Sequence, residues 1–169
     1  MSDDKPFFRF HPGAYERGAF VESDQLCDVC KRLSVWLYDC LVYTAGEKPS
    51  VCARCIANGN LAEHIKGRVS LHDADLDGDV DPDLEAEVMQ RTPGFATFNA
   101  FQWPVLRGKP LAYVGHGEEE STWQNRDAAA AIRKLYAREH GEKLEGTTPY
   151  ALVFKELKGG KHVAIVDLD

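Results

Sequence analysis

The chain has 169 residues, 44% of them hydrophobic and 28% charged, enough for a globular unit with a real core, or for a small module joined to a larger one. No apolar run approaches the ~20 residues that cross a bilayer, and Met1-Ser2-Asp3-Asp4-Lys5-Pro6 lacks the apolar centre of a signal peptide, so a cytoplasmic protein is expected. Twenty basic residues against twenty-seven acidic ones leave a net charge of −7, which argues against a general nucleic-acid binder.

The first chemical signal is a pair of matched motifs, Cys27-Asp28-Val29-Cys30 and Cys52-Ala53-Arg54-Cys55, with twenty-one residues between them. Each C-x-x-C sets two thiolates on a tight knuckle, and two knuckles supply the four soft ligands of a closed tetrahedral zinc site. Disulfides are the alternative, disfavoured where thiols are kept reduced. With Cys27, Cys30, Cys52 and Cys55 filling every ligand place, no position remains for a reactive water, so the zinc is expected to be structural. The fifth cysteine, Cys40, sits in the apolar stretch Val35–Tyr43, which reads as strand, and is expected in the core.

Beyond Leu61–Ile65, which offers a short helix, lies the acidic segment. Eight acids fall between Asp73 and Glu87 with no Lys or Arg among them; without them, nineteen acids face twenty bases. Asp73, Asp75, Asp77 and Asp81, with Gly78 and Val80, match positions of an EF-hand loop, and Asp79 adds a further carboxylate. Position 12 is Leu84, however, and position 10 is Pro82, so the bidentate glutamate is missing. A weak calcium site is one reading. A solvated acidic loop that ends by capping a helix, with Pro82 in its first turn, is the other.

A helix is predicted over Asp83–Gln90, stopped by Thr92-Pro93-Gly94. Phe95 and Phe98 fit one face of a short helix, and Leu111–Val114 reads as a strand closed by Gly115. The clearest helix runs from Arg126 to His140, with Ala128, Ile132, Leu135 and Tyr136 on one face and Gly141 as terminator. Two strands, Tyr150–Leu157 and His162–Leu168, form a hairpin through Lys158-Gly159-Gly160-Lys161. The expected class is α+β: a small four-cysteine zinc ribbon packed on an α+β body with a C-terminal helix and β-hairpin. Residues 1–68 form the ribbon segment and 69–169 the acidic loop, helices and hairpin, joined as one compact unit. The six histidines (His11, His64, His72, His116, His140, His162) are scattered, and no nucleophile motif, phosphate loop or zincin motif occurs. No enzyme is predicted.

Several blocks combine into a pattern: Phe10-His11-Pro12, Gly18-Ala19-Phe20, the Cys27/Cys30 pair, Cys52-Ala53-Arg54-Cys55-Ile56-Ala57-Asn58-Gly59, and Arg91-Thr92-Pro93-Gly94-Phe95. Over about Phe8–Gly115 it resembles the CbrC family, small bacterial proteins named for a colicin-tolerance protein. The resemblance implies a metal-stabilised cytoplasmic domain connected with surviving toxins. Relatives tend to carry further cysteines where this chain reads Trp103–Lys109 and Lys155–Gly160, so a second metal site is not expected.

The expected function is that of a non-catalytic, zinc-stabilised tolerance or immunity protein. Its acidic surface (Asp73, Asp75, Asp77, Asp79, Asp81, Asp83, Glu85 and Glu87, then Glu118 to Glu120) would cover a basic toxin such as a nuclease. The alternative is an adaptor or regulator that binds host protein or nucleic acid through Lys31, Arg32, Arg54, Lys66 and Arg68 around the knuckles. Neither a membrane nor a small-molecule substrate is predicted.

Overall fold

The computed structural model describes residues 5–65, 67–141 and 150–167. In chain order the elements are β1 (Phe20–Glu22), β2 (Trp36–Tyr38), β3 (Tyr43–Thr44), α1 (Ala53–Ala57), α2 (Asn60–His64), β4 (Val69–Ser70), β5 (Ala74–Leu76) and α3 (Pro82–Arg91). There follow β6 (Phe101–Trp103), β7 (Val105–Leu106), β8 (Lys109–Pro110), β9 (Ala112–His116), α4 (Glu120–Gln124), α5 (Arg126–His140), β10 (Ala151–Lys155) and β11 (His162–Val166). The mixed α and β composition agrees with the expected class. Leu168 lies outside the described residues, as does Lys66.

The C-terminal part is an antiparallel sheet ordered β11-β10-β9. Its middle strand is buried on both faces, so alternate side chains serve different layers. Ala151 and Val153 meet Ala128, Ile132 and Leu135 of α5. Leu152 and Phe154 face the other way, into a core of Phe10, Trp103, Leu111 and Tyr113. Helix α5 begins where the Asn125 side chain accepts from the N–H groups of Asp127 and Ala128, and ends at Gly141, whose φ of +67° suits a residue without Cβ. The β10–β11 hairpin pairs Lys155 with His162, as the Gly159-Gly160 turn predicts.

The segment from Asp73 to Arg91 departs from the loop expectation. Asp73 leads into β5, which pairs in parallel with β6, and α3 makes the crossover between them. At Ala74–Leu76 the alternation that resembled calcium-ligand spacing is strand periodicity, while Asp77, Asp79 and Asp81 follow in the loop that leads to α3. Ala74 and Leu76 pack against the aromatic core, while Asp73, Asp75 and Asp77 are exposed. Asp81 is the N-cap of α3, its carboxylate accepting from Asp83 N–H at 2.9 Å, with Pro82 in the first turn.

Phe95 and Phe98 lie in an extended segment without helix. The backbone of this segment finds partners far away in sequence instead. The His11 ring donates to the Pro93 carbonyl at 2.9 Å and His72 to that of Thr92 at 3.0 Å, while Gly94 N–H donates to the Tyr38 hydroxyl at 3.0 Å. Phe95 then stacks on Tyr113 at 3.6 Å between centroids, and Phe98 is exposed against Tyr150.

Gly94 is held so closely that a Cβ would lie 2.7 Å from both the Leu71 carbonyl oxygen and the Tyr38 hydroxyl. Gly94→Ala is therefore expected to destabilise the protein by about 2–3 kcal/mol through overpacking and loss of the Tyr38 bond. Urea unfolding measures this, and a change below about 0.5 kcal/mol would contradict the packing described.

Contacts cross residue 68 at several points. Tyr43 pairs with Ser70 between β3 and β4, Tyr113 N–H donates to the Phe10 carbonyl, and Arg9 forms a two-pronged ion pair with Glu87 at 2.6 Å. No helix among the described residues is long and apolar enough to cross a membrane.

Candidate metal centre

The two cysteine motifs reach one point by different local routes. Cys27 and Cys30 lie on a tight turn between β1 and β2, closed by a bridge between Leu26 and Leu33 and by Cys27 N–H donating to the Arg32 carbonyl at 2.9 Å. Lys31 completes the turn at a φ of +58°. The second pair is not on a hairpin. Ala53-Arg54-Cys55-Ile56-Ala57 is helix-forming sequence, and Cys52 is the N-cap of α1 with Cys55 in its first turn. The expected pair of knuckles is therefore corrected to one knuckle facing one helix start.

The four sulfurs of Cys27, Cys30, Cys52 and Cys55 all lie within 4.8 Å of one another. Cys27 Sγ and Cys55 Sγ are 3.9 Å apart, as are Cys30 Sγ and Cys52 Sγ. A disulfide needs about 2.05 Å between sulfurs. A tetrahedral ion with metal–sulfur bonds of about 2.3 Å needs edges of about 3.8 Å, so the spacing fits a metal set and excludes cross-links. Supporting contacts come from Cys52 N–H to Cys27 Sγ at 3.3 Å and from the Asn60 side-chain amide to Cys55 Sγ at 3.9 Å. Cys27, Cys52 and Cys55 are buried in a core that includes Phe20, Tyr38, Val51 and Ile56.

This environment makes the unmetallated thiols costly to ionise together. Burial pushes Cys52 and Cys55 above the ordinary thiol range, reinforced at Cys55 by the neighbouring sulfurs. Burial acts on Cys27 too, but N–H groups of Cys30, Cys52 and Val29 outweigh it and hold that thiol below its ordinary value. A bound cation removes the conflict by sharing all four negative charges. Cys40 takes no part: it is half-buried, just beyond β2, with its thiol donating to the Gly94 carbonyl at 3.5 Å.

The other sequence-based candidates separate. Among the described residues the four cysteines are the only group of three or more His, Cys, Asp or Glu whose ligand atoms converge, so Asp73, Asp75, Asp77, Asp79 and Asp81 form no such set. All eight acids except the half-buried Glu87 are exposed, and among the described residues Glu87 is the one of them that is ion-paired, with Arg9 and Arg91. Around the knuckle, Lys31 pairs with Asp28 at 3.8 Å.

Glu119 is no free surface charge. It receives Arg17 at 2.9 Å and the His116 N–H at 3.1 Å, and these outweigh burial to hold its carboxyl below the usual range. The network continues through the Tyr113 hydroxyl, which donates to His116 Nδ1 at 2.5 Å, and His116 Nε2, which donates to the Ala96 carbonyl at 2.7 Å. Scattered positions in sequence conceal this assembly, because its members come from three separate stretches of chain.

The pattern of UPF0167, an uncharacterised protein family, matches residues 6–167. A UPF0167 protein of Pseudomonas aeruginosa is 30% identical over 126 residues, 73% of this chain and 70% of that protein. UPF0167 proteins of Mycobacterium bovis and Mycobacterium tuberculosis are each 29% identical over 132 residues, 78% of this chain and 71% of theirs. No solved structure matches. The chain belongs to the UPF0167 family. The CbrC assignment is thereby corrected: the matches point to UPF0167 and none to CbrC, and the toxin connection, which that resemblance implied, is not carried over.

Proposed function

We propose that this UPF0167 member is a zinc-stabilised binding protein, without chemistry at its metal, that offers an acidic face to a basic protein partner. The observation that carries the reading is the set of exposed carboxylates from Asp73 to Glu85, along β5, the loop after it and the start of α3, none of which is ion-paired among the described residues. Like charges held along one strand and one turn repel each other and favour compact folding less than neutral residues would. They also create a negative potential that accelerates and orients the approach of a positively charged surface. Zinc is the ion that four thiolates at these distances suit best, and a closed set of four cysteines gives it a structural role.

The test uses the triple variant Asp75→Asn, Asp77→Asn and Asp79→Asn. Asparagine keeps shape and turn preference, so metal content and melting temperature are expected to hold. Native mass spectrometry of protein recovered from its own cells identifies the companion polypeptide. Its affinity for wild type is expected to fall steeply with salt, and to drop at least tenfold in the variant. Equal affinity for both proteins, or affinity indifferent to salt, would overturn the reading.

A further inference from the structure

Between the β3–β4 ribbon and the β5–β6 pair lies a cleft of about 570 Å³, and beside it a second lobe of about 350 Å³ opens against the segment from Gly94 to Thr97. The lobes share Tyr43, His72, Asp73 and Phe101 as walls. Each volume lies within the range of small-molecule sites.

The floor is fixed before any ligand arrives. The buried rings of His11 and His72 hold the Pro93 and Thr92 carbonyls, Tyr38 receives the Gly94 N–H, and the Cys40 thiol donates to the Gly94 carbonyl. Such a floor loses little conformational freedom on binding. This also gives the Arg91-Thr92-Pro93-Gly94-Phe95 block, which the metal centre does not use, a place in the molecule.

The lining selects the ligand. The second lobe presents the carboxylates of Asp39 and Asp73 with the rings of Tyr43, Phe95 and Phe101 and, among the described residues, no lysine or arginine. That combination of negative charge and aromatic faces suits an ammonium group on an apolar body. Burial, with the Asp73 carboxylate and Cys40 nearby, holds the Tyr43 hydroxyl above its usual range, so it is available as a donor. The first lobe adds Asp75 and, as its one cation among the described residues, Arg68, together with Ser70 and Gln102. Arg68 forms no ion pair with any described residue and is free to meet an anion.

We propose that this two-lobed cleft binds a small zwitterion, an organic ammonium compound with an apolar body and an anionic end, the ammonium in the lobe of Asp39 and Asp73 and the anion at Arg68. The cleft borders the acidic face proposed for a protein partner and shares Asp75 with it, so Arg68→Ala, which leaves every carboxylate in place, is the variant that separates the two readings.

Calorimetric titration of the full, metal-loaded chain with three probes tests this. Phenylalanine carries both charges, phenethylamine the cation alone, and hydrocinnamate the anion alone. Phenylalanine is expected to bind most tightly, phenethylamine several-fold more weakly, and hydrocinnamate not at all. Arg68→Ala should remove the difference between the first two, and Asp73→Asn should weaken both at least tenfold at unchanged melting temperature. Asp39→Asn serves the same purpose if Asp73→Asn fails to fold. Hydrocinnamate binding as well as phenethylamine would overturn the proposal. So would a folded Asp73→Asn that binds like wild type, or no heat from any probe at about 10 mM.

Discussion

Replacing Cys27 or Cys52 by serine is expected to release the metal and to destabilise the protein by about 4 kcal/mol or more. The reason lies in the position of the ligands rather than in their number. Cys27, Cys52 and Cys55 are inside the first core, and apart from the ion the knuckle meets the chain entering α1 through only a few bonds, chiefly Asp28 N–H to the Ser50 carbonyl and Ser50 N–H to the Asp28 carboxylate, with a bridge between Leu37 and Cys52 beside them. In such a site the free energy of metal binding is folding free energy. For a chain of this length the expected fall in melting temperature is about 8–16 °C. A chelator should have the same effect on the wild type and little on either variant, which has already lost its ion. Cys40→Ser is the control. Its hydroxyl can still donate to the Gly94 carbonyl, and its cost should be about 1 kcal/mol or less. Native mass spectrometry counts the metal and calorimetry measures the melting. Equal damage from Cys40→Ser, or a wild type that melts unchanged in chelator, would refute the assignment of these four ligands.

What could be read from the sequence was local. The metal ligands announce themselves through spacing, because a C-x-x-C turn needs no information from elsewhere. Helix α5 carries its own signals, an apolar face from Ala128 to Tyr136 and a terminator at Gly141, and it runs over Arg126–His140 as they predict. The terminal hairpin is fixed in the same way by Gly159-Gly160. The second cysteine pair held a signal that the ribbon expectation passed over. Ala53-Arg54-Cys55-Ile56-Ala57, followed by Gly59, is a short helix with its stop, and the motif therefore opens a helix instead of turning a hairpin.

What escaped depends on distant partners. The alternation of aspartates around Ala74–Leu76 fits both a cation loop and a half-exposed strand. Only β6, some twenty-five residues further on, decides for the strand. Phe95 and Phe98 have helical spacing, yet their segment is extended because His11 and His72 take its carbonyls. The His11 bond spans 82 positions in sequence. Histidines of that kind cannot be told from surface ones by their neighbours, since their burial is created by elements that close over them. The cleft around Tyr43 is hidden for the same reason, being lined by four separate stretches of chain.

These two histidines lead to the second large effect, acid instability with a defined origin. Both rings are buried and neutral. Burial, opposed only in part by the bond to Pro93, lowers the pKa of His11 from 6.5 to about 4, with Arg17 and His116 adding to the shift and Glu119 opposing it. Burial lowers that of His72 to about 3, and the nearby His11 pushes the same way. Among the described residues His11 Nε2 has no hydrogen-bond partner to receive a second proton. In the unfolded chain both rings titrate near 6.5. The stability they confer is therefore complete above about pH 6.5 and is lost as pH falls from there towards 4 and 3. Across that interval the unfolded state holds two protons that the folded state lacks, a slope of about 2.7 kcal/mol per pH unit. A domain with an ordinary reserve of 5–15 kcal/mol should then unfold cooperatively in mild acid. The metal centre also takes up protons when it opens, but its thiolates do so at pH 7.5 and pH 5.0 alike. The histidine contribution appears only at the lower value. Calorimetric unfolding in buffers of different ionisation enthalpy counts the protons directly, and uptake at pH 5.0 should exceed that at pH 7.5 by about two. His72→Gln should reduce the difference to about one. A difference near zero in the wild type would mean that these rings are accessible to protons in the folded protein, and the burial that fixes the floor of the cleft would be refuted with it.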